Sequence, residues 1–323
     1  MNAGDLPDAV TGASPADQLS PAPAAGGLGG HSVDVRMVTD AGHPGRPNED
    51  FTGAIPGAVV LLDGAGIPGT ESICCHGVAW YTHRLGGALL GRLSRDAGQD
   101  LAAILAAAIG ELAADHRDTC DIANPSSPQA TVAMIRTAGD QLDYLVLADC
   151  FVIVGQARGS PLVITDEREV TARRSCSAPL AGIPQGTAEY ESVRDDCIAA
   201  LQARRNHEGG YWIAKDDPRA AGEAVTGSYP LRALDSAALL SNGAGRIVSP
   251  YALTSWPGVL DLLGAGGPGE IIRRVRQAEA DNSGTPAAVV PDDATVAYWR
   301  LQHHDWQRQQ QLGGYGREAF SFL

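Results

Sequence analysis

The chain has 323 residues, of which 44% are hydrophobic and 19% charged, values that exclude collagen, a coiled coil and wholesale disorder. Its formal net charge of −14 repels phosphate backbones, so we expect no nucleic-acid partner. No apolar run approaches the ~18 residues that a membrane-spanning helix needs. The six cysteines contain no C-x-x-C pair. We therefore predict a cytoplasmic protein with reduced thiols and no membrane partner.

Composition divides the chain into three parts. Residues 1–30 are mostly Ala, Pro, Gly, Ser and Asp, too few large apolar groups to offset the entropy of ordering, and we predict a disordered leader. Residues 302–323 are rich in Gln and Gly with scattered aromatics and are predicted to be an appended tail. No composition shift divides residues 31–301, which we expect to form one domain.

The first predicted elements are two strands followed by two helices. Apolar residues alternate over 33–37, as in a half-buried strand, and residues 58–62 form a short continuous apolar run. The spacing then changes to three and four, which predicts helices over 78–93 and 101–112.

Several short apolar segments follow, separated by only a few polar or Gly residues. Connections this short favour antiparallel hairpins over crossovers. The mixture predicts an α+β fold, with helices outside an antiparallel sheet or pair of sheets. The remaining predicted elements are strands at 131–135, 142–147, 151–154, 162–164, 237–240 and 294–301, and helices at about 188–206, 256–264 and 269–280.

Acidic residues lie at the ends of several of these strands. An acid flanked by apolar strands must be paired or metal-bound, because burying it alone is costly. Oxygen-only ligands suit Mg²⁺ or Mn²⁺, and two such ions ~3.5–4 Å apart clamp a phosphoryl oxygen in many phosphatases. The segments are Asn48-Glu49-Asp50, Asp63-Gly64-Ala65-Gly66, Asp149 between two apolar strands, and Asp292-Asp293.

The order of these segments, with Leu239-Leu240-Ser241-Asn242-Gly243 before the last, resembles the type-2C metal-dependent Ser/Thr protein phosphatases over roughly 31–301. The resemblance implies a four-layer sandwich, two antiparallel β-sheets flanked by α-helices. Cys75–Tyr81 and Asn206–Trp212 also look like segments of a group of actinobacterial type-2C-like proteins.

The resemblance also implies roles for individual residues. Asp63 would bridge two ions, Gly64 would offer its carbonyl, and Glu49 would support the second ion. Asp292 would bind the first ion, and Asp149 falls where bacterial members bind a weaker third metal. The implied cofactor is Mg²⁺ or Mn²⁺, with one or two ions bound.

Three departures from the family pattern concern this site. Asn242 stands where the family has Asp, and the lost charge should weaken the first and third metals. The phosphate-binding Arg of the family would fall at Gly45, so Arg46 is displaced by one residue, although its side chain is long. Ala65 stands where many eukaryotic members place a His acid. The implied catalytic residues are Asp63, Glu49 and Arg46.

Cys74-Cys75-His76 permits two interpretations. It is either a helix start in which Cys acts as a small buried residue, or a nucleophile or soft-metal site. The segment follows the Asp63 loop, so Asp50, Cys75 and His76 are candidates for lining a substrate cleft.

Three functions follow from these residues. The first is metal-dependent hydrolysis of phosphoserine, phosphothreonine or a small phosphomonoester by a metal-activated water, with a phosphoprotein or a small phosphorylated metabolite as partner. The second is a pseudophosphatase, a binding or regulatory module with a degenerate site at Asn242. The third is an enzyme of the same fold with non-phosphatase chemistry in specialised metabolism. The sequence leaves the substrate and the oligomeric state open.

Overall fold

A computed structural model describes residues 32–66, 72–96, 98–283 and 289–302. The predicted leader, and the predicted tail beyond residue 302, lie outside these ranges. Within them the strands are β1 (Ser32–Asp40), β2 (Phe51–Ile55), β3 (Ala58–Ala65), β4 (Gln129–Ala138), β5 (Gln141–Leu147), β6 (Phe151–Gln156), β7 (Leu162–Ile164), β8 (Val225–Pro230), β9 (Leu234–Leu240) and β10 (Ala294–Gln302).

Helices occur between these strands along the chain. They are α1 (Gly77–Arg95), α2 (Leu101–His116), α3 (Arg168–Ser177), α4 (Ala188–Gln202), the single turn α5 (Asn242–Gly245), α6 (Trp256–Gly266) and α7 (Pro268–Asn282). None of these helices has the length and apolar character that crossing a membrane requires.

The strands form two five-stranded sheets, with order β1-β10-β9-β6-β7 in the first and β2-β3-β4-β5-β8 in the second. Every pairing within them is antiparallel. The predicted α+β fold with two antiparallel sheets flanked by helices is therefore confirmed.

Apolar side chains fill three layers. One core lies between the sheets and includes Leu61 and Trp299. A second lies between the second sheet and helices α1 and α2, and includes Leu62 and Leu85. A third packs α6 and α7 on the first sheet. Because β3 is covered on both faces, its apolar run is continuous rather than alternating.

The chain changes sheet between β5 and β6, which the short connection did not predict. β5 pairs with β4 in the second sheet, whereas β6 pairs with β7 and β9 in the first. The crossover passes through Ala148, which has a positive φ of 63°, and Asp149 follows directly. Asp149 is thus held where the two sheets meet.

Candidate metal centre

A cleft of about 480 Å³ lies where strand ends of the two sheets meet. Each of the six predicted metal ligands lines it: Glu49, Asp63, Gly64, Asp149, Asn242 and Asp292. They come from the turn before β2, from β3, from the β5–β6 crossover, from the turn after β9 and from the approach to β10. The fold therefore brings strand-end residues that are distant in sequence to one place.

Asp63 lies near the end of β3, opposite Thr131 of β4. Its carboxylate accepts a hydrogen bond of 2.9 Å from the backbone N–H of Asn242, which joins the two sheets. Burial holds the pKa of Asp63 well above its usual range, and the charges of Asp50 and Asp149 raise the pKa further. These surroundings disfavour the ionised form of Asp63, and a bound cation would favour it.

Gly64 permits a close approach between β3 and the turn before β2. A Cβ at Gly64 would lie 2.4 Å from the backbone oxygen of Glu49, so no larger residue fits. Burial raises the pKa of Glu49, and so does the charge of Asp293, while the charge of Arg46 lowers the pKa. Asp293 holds this turn, because its carboxylate accepts hydrogen bonds from the backbone N–H groups of Glu49 at 2.6 Å and Gly42 at 2.8 Å.

Asp50 is the least satisfied of the acids. Only 3% of its surface is exposed, and neither carboxylate oxygen has a hydrogen-bond partner of normal geometry among the described residues. Burial raises the pKa of Asp50 to about 7. Asp50 does not line the cleft itself, but its charge acts directly on Asp63. It therefore adds a second negative charge close to Asp63, while the hydroxyl groups of Thr295 and Ser241 lower its pKa in part.

Asn242 turns its amide nitrogen toward another acid. The Nδ2 group donates a 3.0 Å hydrogen bond to the Oδ2 of Asp149, which is 5% exposed. Burial and the charge of Glu169 raise the pKa of Asp149 to about 7, while Arg173 opposes this shift with its Nη2 3.7 Å from Asp149. Protein donors thus occupy the position that the resemblance gives to a third metal.

Asp292 also forms an ion pair within the protein. The Nη2 of Arg246 donates to the Oδ2 of Asp292 at 2.7 Å, and Arg246 lies 3.5 Å from Glu279. Arg46, the arginine predicted for this cleft, is exposed and is not among the lining residues. Sequence reasoning missed Arg246, because its partner Asp292 lies far away in the chain.

The opposite wall of the cleft comes from α3, α4 and the turn that follows α4. Arg173 lies on this wall with its side chain 56% exposed, and it pairs with Glu169 at 2.5 Å. Sequence reasoning missed both residues because it did not predict α3. Other residues of this wall are Ile198, Leu201, Gln202, Arg205 and Tyr211.

Cys75 and His76 are not among the residues that line the cleft. They lie at the start of α1, where Cys74 is buried and Cys75 is exposed. The idea that this segment takes part in chemistry inside the cleft gains no support from its position.

A hard divalent cation fits one side of the site. Asp63, Glu49 and the Gly64 carbonyl line the cleft with oxygen donors only, the kind that Mg²⁺ and Mn²⁺ prefer, and the charge of Asp50 acts on Asp63 beside them. On the other side, Asp292 and Asp149 already bind Arg246 and Asn242. Protein donors therefore already engage the carboxylates on this side of the site.

Solved structures resemble this chain over most of its length. The catalytic domain of serine threonine protein phosphatase PstP, in complex with two manganese ions, aligns with a TM-score of 0.51 and 18% identity, covering 84% of this chain and 99% of that one. Serine/threonine phosphatase Stp1 from Staphylococcus aureus aligns with a TM-score of 0.53 and 15% identity, covering 85% and 97%. A bacterial serine phosphatase gives 0.53 and 15%, covering 84% and 98%.

No family model and no curated protein sequence matches the chain. The structural likeness, at these low identities, shows that the chain has the type-2C phosphatase fold. This agrees with the fold that its strand-end motifs imply.

Proposed function

We propose that this protein hydrolyses phosphomonoesters with the help of Mg²⁺ or Mn²⁺. Phosphoserine, phosphothreonine or a small phosphorylated metabolite would be its substrate. The observation that carries the proposal is the group of acids that the fold gathers around Asp63 at a 480 Å³ cleft, where burial and mutual repulsion raise their pKa values. Their raised pKa values are typical of groups placed for a charged ligand rather than for stability.

Asp63, Glu49 and the Gly64 carbonyl would hold the ion, and Asp50 would add negative charge beside them. A bound Mg²⁺ or Mn²⁺ acidifies a water and neutralises charge on phosphoryl oxygens. The residues of the chain then orient the substrate: Arg173 presents an exposed guanidinium to the cleft. The cleft volume lies within the ~300–1,000 Å³ range of small-molecule sites.

The direct test is hydrolysis of p-nitrophenyl phosphate at millimolar Mn²⁺. We expect metal-stimulated turnover in the wild type and a loss of at least ~100-fold in Asp63→Asn, since that acid is central to the donor set. Asp261→Asn removes an exposed acid on α6 and should leave turnover unchanged. Absence of metal-stimulated turnover in the folded wild type contradicts the proposal.

A second candidate is a binding module that keeps the fold without the activity. It is favoured by the hydrogen bond from Asn242 to Asp149 and by the ion pair between Arg246 and Asp292. Both place protein donors where a metal would need free carboxylate oxygens.

Asn242→Asp separates the two candidates. If the protein is an enzyme, the variant should reach half-maximal turnover at roughly tenfold lower Mn²⁺, because an added carboxylate strengthens a hard-ion site. If the wild type is inactive and only Asn242→Asp turns over substrate, the wild type is a degenerate site and the binding module is correct. Gln99→Glu, at an exposed position between α1 and α2 that does not line the cleft, is the control for an added charge.

A further inference from the structure

A second group of metal-ligating side chains lies outside the acidic cleft. It consists of Cys74, His76, His116 and Cys120, and one ligand atom from each lies within 4.8 Å of all the others. Two come from the segment that precedes α1, one is the last residue of α2, and one follows α2. None of them lines the acidic cleft, and the proposed hydrolysis does not use them.

The distances within this cluster match those of a tetrahedral zinc site. The Cys74 Sγ lies 3.9 Å from the His76 Nδ1 and 4.0 Å from the His116 Nδ1. The Cys120 Sγ lies 3.3 Å from the His76 Nδ1. With Zn–S of ~2.3 Å and Zn–N of ~2.0–2.1 Å, sulfur and nitrogen ligands of a tetrahedron lie ~3.6 Å apart. These three distances differ from that value by about 0.3–0.4 Å, and all four ligand atoms lie within 4.8 Å of one another.

The fold holds the two contributing segments side by side. Helices α1 and α2 run antiparallel, with ion pairs from Arg84 to Asp115 at 2.7 Å and from Arg92 to Glu111 at 2.8 Å. This arrangement puts the start of α1 beside the end of α2. The backbone N–H of Asp121 also donates to the carbonyl of Ile73 at 2.9 Å.

An aromatic side chain supports the two histidines. The Trp80 ring stacks on His76 with centroids 4.2 Å apart and lies 5.3 Å from His116. Helix α1 begins without a side-chain hydrogen bond at its N-cap, which is His76. The start of this helix is therefore held by the groups around His76 rather than by a capping side chain.

We propose that Cys74, His76, His116 and Cys120 bind one Zn²⁺ as a structural site that joins the start of α1 to the end of α2. Thiolate and imidazole ligands select zinc over Mg²⁺ and Mn²⁺, so the two sites of the molecule take different metals. Four protein ligands leave no open position, as in structural rather than catalytic zinc sites. On binding, the sulfurs release their protons to solvent and bond to the ion.

The test is the metal content of the full chain, purified and dialysed against a weak chelator. We expect one zinc per chain by mass spectrometry of the metal, and after exchange to Co²⁺ the intense visible absorption of tetrahedral cobalt with a thiolate charge-transfer band. Cys74→Ser and Cys120→Ser should lose the metal. Cys197→Ser, which removes a buried thiol on α4, should keep it, as should Cys75→Ser.

Two further variants serve as controls. One separates loss of zinc from loss of folding, and the other separates the zinc site from the acidic cleft. Cys120→His keeps four ligands, so zinc should remain while the cobalt charge-transfer band falls by about half. Asp63→Asn should keep the full zinc content, which makes the result independent of any phosphatase activity. A folded wild type with neither zinc nor a cobalt spectrum, zinc lost in Asp63→Asn, or a disulfide between Cys74 and Cys120 would each overturn the proposal.

Discussion

Asp50 shows how one residue shapes the candidate site. Its carboxylate is buried, and burial outweighs the stabilising effect of the Thr295 and Ser241 hydroxyl groups, so the ionised form is disfavoured. A protein selected for stability alone would place an amide or an apolar residue here. The position is explained if the ionised form is needed for a cation that the folded protein binds.

The pH dependence of stability follows from this residue. Because folding raises the pKa of Asp50 from 3.8 to about 7, the stability it contributes is fully present below about 4 and is lost as pH rises toward 7. Without divalent ions, we expect the Tm to fall over this window. Asp149, with a similar pKa, adds to the fall.

Asp50→Asn tests this directly by thermal unfolding across that pH range in a chelating buffer. The variant cannot ionise at this position, so its Tm should fall less with pH than that of the wild type. Asp261→Asn serves as the control and should follow the wild type. An unchanged slope in Asp50→Asn would show that Asp50 does not titrate in this window.

At the scale of elements, α1 lies against β2 through a glycine. A Cβ at Gly86 would be 2.2 Å from the Phe51 ring, whereas nothing lies within 4 Å of a Cβ at Gly87. The packing therefore requires glycine at position 86, whereas position 87 has room for a larger side chain. Gly86 is buried and sets the distance between helix and strand, while Gly87 is exposed.

The two alanine variants should change stability in opposite directions. We expect Gly86→Ala to lower the free energy of unfolding by ~1–3 kcal/mol, because the ring of Phe51 must move. Gly87→Ala should raise it by ~0.5–1 kcal/mol, the gain in helix propensity. Urea denaturation of both variants measures the difference. A small or equal effect in both would contradict the close packing of α1 on β2.

The elements that sequence analysis predicted are those with a strong apolar pattern. β3 contains a continuous apolar run, and α2 repeats apolar residues at intervals of three and four. β2 has five residues including Gly53, β8 is a partly exposed edge strand, and α3 carries few apolar residues. Tertiary pairing, rather than local pattern, determines these elements.

The residues of the candidate site also fall into those that the sequence revealed and those that it did not. Acids at strand ends, such as Asp63 and Asp292, were found because an acid beside an apolar run is unusual. Arg246 and Arg173 were not found, since their partners lie 46 and 24 residues away in the chain. A charge pair between distant segments leaves no local pattern, so only the fold reveals it.

At the scale of the whole molecule, the candidate site lies across both sheets. Asp63 and Gly64 belong to the second sheet, while Asn242 and Asp292 flank strands of the first. The hydrogen bond from the Asn242 backbone to Asp63 already spans the two. A cation bound to Asp63 would add to this link and relieve the repulsion among the acids around it.

Metal binding should therefore stabilise the whole fold rather than one loop. At a Mn²⁺ concentration 100 times its Kd, the free energy of unfolding should rise by ~2.7 kcal/mol, seen as a higher urea midpoint with an unchanged slope. Amide exchange should slow in both β3 and β9, because they belong to different sheets and unfold together. Asp63→Asn should abolish both effects, whereas Asp261→Asn should retain them. Slower exchange confined to the turn at Glu49 would show instead that the ion orders one loop without coupling the sheets.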